Sequence, residues 1–375
     1  MLKINPKTEL YIGLMSGTSL DGIDAGLVDF SPSLPRLIAF HYQAFPDELR
    51  SQIHRISQPD TAILLNDYGT LDAQLGQLFA EAALALLKNT DIPATEIKAI
   101  GSHGQTVYHA PQGPYGFSLQ IGDPNRIAQT TGIATISDFR RRDIAVGGQG
   151  APLVPAFHQA LFGTPGKTVT VLNIGGIANI SLLTAQGVRG FDTGPGNTLM
   201  DHWCRLNTGR NYDANGDWAK TGQVQPALFQ QLLDDPYFRQ APPKSTGKEY
   251  FSPAWLAAKL TDYSACQPAD IQATLCRFSA DSIANAILAH AADSSQVLVC
   301  GGGVHNRQLM AMLRNKLPIP VLSTAEYGVN PDHVEAMAFA WLARQTLNGL
   351  TGNLCSVTGA SVPVILGGIY PGHPV

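Results

Sequence analysis

The most informative segment of this chain reads Tyr11-Ile-Gly-Leu-Met-Ser-Gly-Thr-Ser-Leu-Asp-Gly-Ile-Asp-Ala-Gly-Leu-Val-Asp-Phe30. Two apolar runs, at residues 10–15 and 23–30, are joined by a loop rich in glycine, serine and threonine. This pattern predicts a strand, a tight turn and a returning strand. Glycine adopts backbone angles that a side chain forbids, so Gly17 and Gly22 are expected to let the chain turn.

The loop between these two strands has the composition of a phosphate-binding turn. Successive exposed N–H groups form a concavity that suits phosphate oxygens, and Thr18 and Ser19 add hydroxyl donors. A small polar hairpin turn without a ligand has the same composition. The loop alone leaves both interpretations open.

A second segment in the middle of the chain repeats this architecture. Apolar runs at 168–174 and 177–183 flank a glycine pair, and a third strand at 188–191 leads into Asp192-Thr-Gly-Pro-Gly-Asn197. Residues 34–45 are the corresponding third strand of the first half. Two similar units in one chain predict paired α/β lobes with a cleft between them.

A third glycine cluster, Cys300-Gly-Gly-Gly-Val-His-Asn306, follows an apolar strand at 296–299 and precedes a helical pattern at 307–316. A strand, glycines and a helix start together form a recurrent geometry for holding a nucleotide. The sequence has no G-x-x-x-x-G-K-[ST] loop and no H-R-D or D-F-G set. Both of those phosphoryl-transfer classes are therefore disfavoured.

The remaining elements are read from hydrophobic periodicity. Helical spacing covers 47–56, 62–87, 269–292 and 332–347, and the apolar stripe of the second of these is expected to lie in the core. That stripe comprises Leu71, Leu75, Leu78 and Phe79. Buried strands are predicted at 97–101 and 132–137, and the polar residues after them are candidate ligands, since open α/β sheets bind at strand ends. Residues 242–249 are predicted to form a flap or an exposed loop.

Composition excludes several classes of protein. The 375-residue chain is 44% hydrophobic and 14% charged, which is typical of a globular protein and predicts two domains. A net charge of −4 gives no reason to expect nucleic-acid binding. The five cysteines are scattered, so neither a disulfide framework nor a zinc site is expected. Without a signal-peptide or membrane-helix pattern, we expect a cytoplasmic protein that binds no membrane.

Nearly the whole chain resembles the anhydro-N-acetylmuramic acid kinase family. The resemblance rests on these ordered segments: Gly13-Leu-Met-Ser-Gly-Thr-Ser-Leu-Asp-Gly-Ile-Asp24, Ser102-His-Gly-Gln-Thr106, Asp138-Phe-Arg-Arg-Arg-Asp143, Gly147-Gly-Gln-Gly-Ala-Pro152, Asn173-Ile-Gly-Gly-Ile-Ala-Asn179, Phe191-Asp-Thr-Gly-Pro-Gly-Asn197, Gly301-Gly-Gly-Val-His-Asn306 and Glu335-Ala-Met-Ala-Phe-Ala-Trp341.

The resemblance implies an α/β fold of two duplicated actin-like, ribonuclease H-like lobes with mixed sheets flanked by helices. ATP and substrate are expected in the cleft between the lobes. We place the N-terminal lobe at 1–138, completed by 348–375, and the C-terminal lobe at 139–347. The predicted ATP-binding residues are Gly17, Thr18, Ser19, Leu20, Asp21, Gly22, Ile23, Asp24, Gly175, Gly176, Gly194, Gly301, Gly302 and Gly303.

Asp192 is the predicted catalytic residue. A carboxylate in a cleft can remove a proton from water or a hydroxyl as phosphoryl transfer begins. From the residues alone, capping of the helix near Thr198 or water-mediated Mg²⁺ binding are alternatives. An aspartic protease is disfavoured, since the D-T-G triplet occurs once. The resemblance aligns Asp192 with the family's general base, which activates water to open a 1,6-anhydro bridge while O6 takes the γ-phosphoryl group of ATP.

The substrate implied by the resemblance carries a lactyl carboxylate, which predicts a cationic partner. Arg141, with Arg140 or Arg142, is the candidate, because guanidinium binds carboxylate in bidentate geometry. Salt bridges to Asp138 and Asp143 are the structural alternative, expected for at least one arginine. The predicted substrate-binding residues are His103, Gln105, Arg141 and Glu335.

The resemblance also implies Mg²⁺ and a homodimer. Asp21 or Asp24 is expected to hold a hydrated Mg²⁺, although magnesium takes few carboxylates and several waters, so its ligands are not assigned. Helix-end stabilisation is the simpler explanation for Glu335. Two other functions stay open from the residues: a kinase for another hexose or amino sugar, and an actin-like nucleotide-binding module without catalysis.

Overall fold

The computed structural model describes residues 8–17, 19–58 and 61–372. Its strands are β1 (Leu10–Ser16), β2 (Gly22–Asp29), β3 (Arg36–Ala44), β4 (Ile97–Ala110), β5 (Phe117–Ile121), β6 (Thr135–Ser137), β7 (Val169–Ile174), β8 (Ile177–Thr184), β9 (Gly187–Pro195), β10 (Val297–Cys300), β11 (Val321–Ser323) and β12 (Gly368–Tyr370). Its α-helices are α1 (Asp47–Ile56), α2 (Leu65–Lys88), α3 (Pro124–Thr131), α4 (Arg141–Ala145), α5 (Val154–Phe162), α6 (Thr198–Thr208), α7 (Pro226–Leu233), α8 (Pro253–Lys259), α9 (Pro268–His290), α10 (Arg307–Lys316), α11 (Val334–Leu347) and α12 (Cys355–Thr358).

The chain divides into two compact units. Unit 1 comprises Met1–Leu161 and His333–Val375, and unit 2 comprises Phe162–Asp332. This division differs from the predicted boundaries, which assigned residues 139–161 and 333–347 to the C-terminal lobe. The reason is packing: α11 lies against β1 and β4, and α4 is tied to the segment that contains α12.

Unit 1 is built on a mixed sheet with the strand order β12-β6-β4-β1-β2-β3, and β5 pairs with β4. β1, β2 and β3 form an antiparallel meander, with Gly13 opposite Gly26. On the other side of β1, β4 and then β6 run parallel to it. The predicted strand, turn and two returning strands are therefore confirmed.

Unit 2 repeats this arrangement in the order β11-β10-β7-β8-β9. β7, β8 and β9 form the antiparallel meander, and β10 and β11 run parallel on the other side of β7. The predicted duplication is confirmed, because the two sheets share three antiparallel strands followed by two parallel ones. A mixed sheet with helices in each unit is the predicted α/β fold class.

Both faces of the unit 1 sheet are covered, which explains why β1 is apolar almost throughout. On one face, Leu71, Leu75 and Phe79 of α2 are buried in the core, as predicted, and Leu78 packs against it partly buried. On the other face α11 approaches closely: a Cβ on Gly13 would overlap the carbonyl oxygen of Ala336. Glycine in β1 is thus required by helix-on-sheet packing as well as by turns.

The core of unit 2 forms around α9, the long helix predicted at 269–292. Its predicted core residues Leu275, Phe278, Ile283 and Ile287 are all fully buried. They pack with residues of β7, β8 and β10 in one cluster. Hydrophobic periodicity therefore located both the helix and its buried face.

Strand β4 is longer than predicted. The sequence predicted a strand at 97–101 followed by ligand-bearing residues, whereas β4 continues to Ala110. Beyond Gly101 it gains a third partner strand, because Gln105 pairs with Ile121 of β5 in antiparallel register. His103 and Gln105 consequently lie within a strand rather than after its end.

A substitution at Gly69 measures how much the conformational freedom of glycine destabilises α2. It is exposed, and a Cβ built on it meets no atom within 4 Å. Gly69→Ala is expected to raise the free energy of unfolding by about 0.5–1 kcal/mol, because alanine restricts the unfolded chain and favours helix. Urea denaturation of the variant and the wild type measures this.

Gly113→Ala is the matched control in the same unit. Its Cβ would also meet open space, but Gly113 has a φ of 82°. Alanine in that left-handed region is expected to cost about 1–2 kcal/mol. A change of the same sign in both variants would contradict the conformational explanation.

The structure also bears on membrane association. Among the residues it describes, none of the helices combines the length and apolarity that crossing a bilayer requires.

Candidate active-site residues in the two units

Strand β9 positions Asp192, the predicted base. Asp192 pairs with Asn179 of β8, but the next pair along the ladder joins Gly194 to Ala178, so Thr193 is an extra residue. This register shift is a β-bulge, a feature that re-aims neighbouring side chains and is frequent beside active sites. The half-buried Asp192 thus lies at an irregularity just before the end of its strand.

The Asp192 carboxylate is held by a single backbone group. Thr246 N donates a hydrogen bond of 3.0 Å to Oδ2, and the described residues supply no donor to Oδ1. Burial raises the pKa of Asp192 to about 6; the Thr246 hydrogen bond opposes the shift, and the charge of Glu249 adds to it. A carboxyl group with this pKa changes charge close to neutral pH, which suits a general base.

The main chain of Asp192 is held by Lys244 and Tyr237, which come from the same part of the chain as Thr246. Its N–H donates to Lys244 O at 3.1 Å, and its carbonyl oxygen accepts from the Tyr237 hydroxyl at 2.6 Å. Asp235 is buried and accepts hydrogen bonds from Tyr250 Oη and Trp255 Nε1, which anchors the segment after Tyr237. All four of these contacts involve residues after 234, and the sequence offered no signal for them.

The helix-capping alternative for Asp192 is wrong. Asn197, not Asp192, precedes the first residue of α6, and the Asp192 carboxylate accepts from Thr246. The Asn197 side chain does not cap the helix either: its Nδ2 donates to Ile174 O at 3.3 Å. Asp192 is therefore available for chemistry rather than committed to a helix end.

Four of the predicted nucleotide-binding glycines of unit 2 lie at Ile174, the last residue of β7: Gly175 and Gly176 follow it, and Gly301 and Gly303 approach it. Gly175 O and Gly176 O, in the β7–β8 turn, accept hydrogen bonds from the N–H groups of residues 196–198. A Cβ on Gly303 would overlap the Ile174 side chain. Three glycine segments that are distant in sequence are thus packed around one strand end.

The predicted glycines of unit 2 differ in what surrounds them. Gly301 has a φ of 80°, and Gly194 has a φ of 137° with Phe238 against it. A Cβ on Gly302 would meet no atom within 4 Å. Gly302 therefore leaves open space beside the backbone, where a ligand can approach.

In unit 1, the loop between β1 and β2 turns differently from the prediction. Leu20, not Gly17, adopts the left-handed conformation, with a φ of 60°, and its N–H donates to Gly17 O at 3.3 Å. Gly22 is required, since its Cβ would overlap Gln43 O of β3. Thr18, a predicted ATP ligand, lies outside the described residues.

The other predicted ligands in the loop are now placed. Ser19 and Asp21 are exposed, Ile23 is fully buried in β2, and Asp24 is half-buried. Leu20 is buried in the core of unit 1, which stabilises the turn. The exposed part of the loop is thus limited to its tip.

The buried His103 and the half-buried Arg140 form a pair in unit 1. Arg140 Nη2 lies 2.8 Å from His103 Nε2, and His103 Nδ1 lies 3.2 Å from Ser16 O. Because arginine only donates, Nε2 accepts and the proton resides on Nδ1. Burial and the charge of Arg140 lower the pKa of His103 to about 3, so the imidazole is neutral.

Gln105 is held on the same strand. Its Oε1 lies 2.7 Å from Ser16 Oγ, and its Nε2 donates to Thr106 O at 3.1 Å. Gln105 is completely buried. Both predicted substrate residues of β4 therefore contact Ser16 at the end of β1, where the glycine-rich loop starts.

The three arginines have three different environments. Arg141 binds Asp138 through Nε at 2.8 Å, which confirms the salt-bridge alternative for this residue. Arg140 is held by His103 and Gly150 O, and burial lowers its pKa to about 10 while the charges of Glu335 and Asp143 oppose that shift. Arg142 is exposed, with no hydrogen bond or ion pair to any described residue.

Asp143 organises the loop that carries these arginines, a role the sequence did not indicate. It is completely buried, and Oδ1 accepts from Asn353 Nδ2 at 2.6 Å and Thr358 Oγ1 at 2.7 Å. Oδ2 accepts from Gly150 N at 2.8 Å. Asp143 therefore bonds to neutral donors rather than pairing with an arginine, and it ties residues 141–150 to the C-terminal segment.

The comparisons with known proteins agree with the resemblance. A family model for anhydro-N-acetylmuramic acid kinase matches residues 9–372. The chain belongs to this family. The match includes described residues of both units and every candidate residue named above.

Individual members of the family are similar over almost their full length. The anhydro-N-acetylmuramic acid kinase of Pasteurella multocida (strain Pm70) is 51% identical over 367 residues, 97% of each chain. That of Shewanella pealeana (strain ATCC 700345 / ANG-SQ1) is 50% identical over 364 residues, 96% of this chain and 98% of the relative. Among solved structures, a ROK family glucokinase from Streptomyces griseus in complex with glucose and AMPPNP matches 90% of this chain and 99% of its own, at a TM-score of 0.42 and 16% identity.

Proposed function

We propose that this protein is an ATP-dependent kinase for 1,6-anhydro-N-acetylmuramic acid in the recycling of peptidoglycan fragments. It opens the 1,6-anhydro bridge with water and phosphorylates O6, giving N-acetylmuramic acid 6-phosphate and ADP. The observation that carries the proposal is the 51% identity to a kinase of that name over 97% of both chains.

In the proposed reaction Asp192 is the general base. Its carboxylate takes a proton from water, whose oxygen bonds to the anomeric carbon of the sugar. The bond between that carbon and O6 breaks, and its electron pair stays on O6. O6 then bonds to the γ-phosphorus, and the bond from that phosphorus to the bridging oxygen breaks as ADP leaves. The geometry that supports Asp192 in this role is the β-bulge, the partly buried carboxylate and the single Thr246 hydrogen bond.

The nucleotide is assigned to the glycine segments. Backbone N–H groups in such turns bind phosphate oxygens, and we assign Gly17–Asp24 and the cluster around Ile174 to ATP. Mg²⁺ is proposed as the companion ion of ATP, with Asp21 and Asp24 as candidate carboxylates. When bound, it neutralises charge on the phosphate oxygens.

The substrate is assigned to residues of unit 1. Arg141 keeps more than half of its side chain exposed while it binds Asp138, and Arg142 adds a second exposed cation. These charges support the proposed recognition of the lactyl carboxylate. His103, Gln105 and Glu335 are proposed substrate residues that also shape this region, since Glu335 interacts with Arg140.

A cytoplasmic homodimer is likewise proposed, on the family resemblance and the scattered cysteines.

The proposal is tested by supplying Mg·ATP and the anhydro-sugar in oxygen-18 water and analysing the sugar product by mass spectrometry. We expect ADP release and a phosphorylated sugar with one oxygen-18 at C1. A phosphorylated product without label would show a kinase with different chemistry. No turnover of this sugar, or of its ring-opened form, would overturn the proposal and favour a non-catalytic nucleotide-binding module.

The raised pKa of Asp192 predicts a pH dependence. The base acts only when ionised, so kcat/KM is expected to fall about tenfold per pH unit below a pKa of about 6. An ordinary aspartate would place this acidic limb near pH 4. A pH–rate profile with the anhydro-sugar as varied substrate measures it, and a limb near 4 would contradict the burial effect.

A further inference from the structure

The loop at residues 242–249, predicted as a flap or exposed insertion, contains more than the contact with the base. Lys244 O and Thr246 N bind the main chain and the carboxylate of Asp192. Two residues further on, Lys248 reaches the turn between β7 and β8. One short loop thus contacts both the proposed base and the proposed phosphate-binding turn.

The Lys248 side chain lies close to Gly176. A Cβ built on Gly176 would lie 2.7 Å from Lys248 Cε and 3.6 Å from Nζ, with Thr198 Cβ at 3.7 Å. Any residue other than glycine at 176 would displace the lysine side chain. The aliphatic stem therefore lies across the turn, with the ammonium group beside it.

The ammonium group of Lys248 has no hydrogen bond or ion pair with any residue that the structure describes. The other lysine of the loop is different: Lys244 Nζ donates to Tyr237 O at 3.2 Å and lies 4.4 Å from the centre of the Tyr237 ring. The ammonium group of Lys244 is thus engaged by Tyr237, whereas that of Lys248 is available to a ligand.

We propose that Lys248 binds the phosphate chain of the nucleotide, so that its ammonium charge joins the backbone N–H groups of the β7–β8 turn. An ammonium on a flexible stem binds phosphate as a point charge with three donors. The proposal rests on the proposed function, which assigns ATP to this turn. It adds a positively charged side chain to a turn whose other proposed phosphate ligands are backbone groups of Gly175 and Gly176.

A direct test is equilibrium binding of ADP and of adenosine to the full-length protein, measured by titration calorimetry. Lys248→Met keeps the stem that packs on Gly176 and removes the charge, and Lys248→Arg keeps the charge. We expect Lys248→Met to weaken ADP binding about tenfold or more, because a charge-assisted contact is lost, and to leave adenosine binding unchanged. Lys248→Arg is expected to retain most of the ADP affinity.

Lys220→Met is the matched control, since Lys220 is an exposed lysine of the same unit outside the loop. It is expected to bind ADP as the wild type does. The proposal is overturned if Lys248→Met binds ADP within twofold of the wild type, if it loses adenosine to the same extent, or if the wild type binds no ADP. The ADP titration contains no sugar, so its result is independent of the oxygen-18 experiment. If Lys248→Met weakens ADP binding while the oxygen-18 experiment gives an unlabelled phosphorylated sugar or none, the role of Lys248 is upheld and only the proposed function is rejected.

Discussion

Asp192→Asn is expected to lower the turnover of the anhydro-sugar by about 10²–10⁴-fold, the range that general base catalysis contributes. The amide is nearly isosteric and can still accept the hydrogen bond from Thr246 N, which lies 3.0 Å from Oδ2. It has no basic oxygen to take the proton from water. Steady-state ADP release with the anhydro-sugar measures the effect, and near wild-type turnover would remove Asp192 from the proposed mechanism.

The same variant separates catalysis from folding. The folded-state pKa of Asp192 is raised to about 6, above its ordinary value of 3.8, so the ionised carboxylate destabilises the folded protein once the pH rises through this interval. At neutral pH, Asp192→Asn removes a partly buried charge and is expected to lose no stability. Asp262→Asn, at an exposed aspartate of the same unit, is the control and is expected to keep full activity.

Asp143→Ala is expected to lower the free energy of unfolding of unit 1 by about 3–5 kcal/mol, since it leaves buried hydrogen-bond donors without an acceptor. These donors are Gly150 N, Asn353 Nδ2 and Thr358 Oγ1, all within 2.8 Å of the carboxylate. Asp143→Asn is expected to recover only part of this loss, because its amide group would face one of the same donors. Urea denaturation followed by circular dichroism measures both variants.

The control for this prediction is Asp47→Asn in the same unit. Its side chain is 92% exposed and, among the residues that the structure describes, its carboxylate pairs only with Arg50, at 3.0 Å, so the change is expected to cost less than about 1 kcal/mol. Hydrogen exchange adds a local measurement: in Asp143→Ala, the amides of 141–150 should exchange faster than those of β1. A loss below about 1 kcal/mol for Asp143→Ala would show that the loop is held by other contacts.

The local sequence pattern was sufficient to predict those elements that are determined by their own residues. The two meanders follow from apolar runs separated by glycine turns, and the core faces of α2 and α9 follow from helical spacing. The extent of β4 did not follow, because its outer half depends on pairing with β5, a partner the sequence did not single out. The unit boundaries differed for the same reason, since α11 packs on β1 from more than 300 positions away in the sequence.

The candidate site divides in the same way. Residue type and order were enough to predict the two repeated segments, the glycine-rich turns and the choice of Asp192 as the carboxylate to test. Three contacts of the site became visible only in the folded chain: Thr246, 54 residues from Asp192, binds its carboxylate, Arg140 donates to His103, and Lys248 lies across Gly176. Burial and hydrogen bonding set the charge and position of a side chain, and both depend on neighbours that the folded chain brings together from distant parts of the sequence.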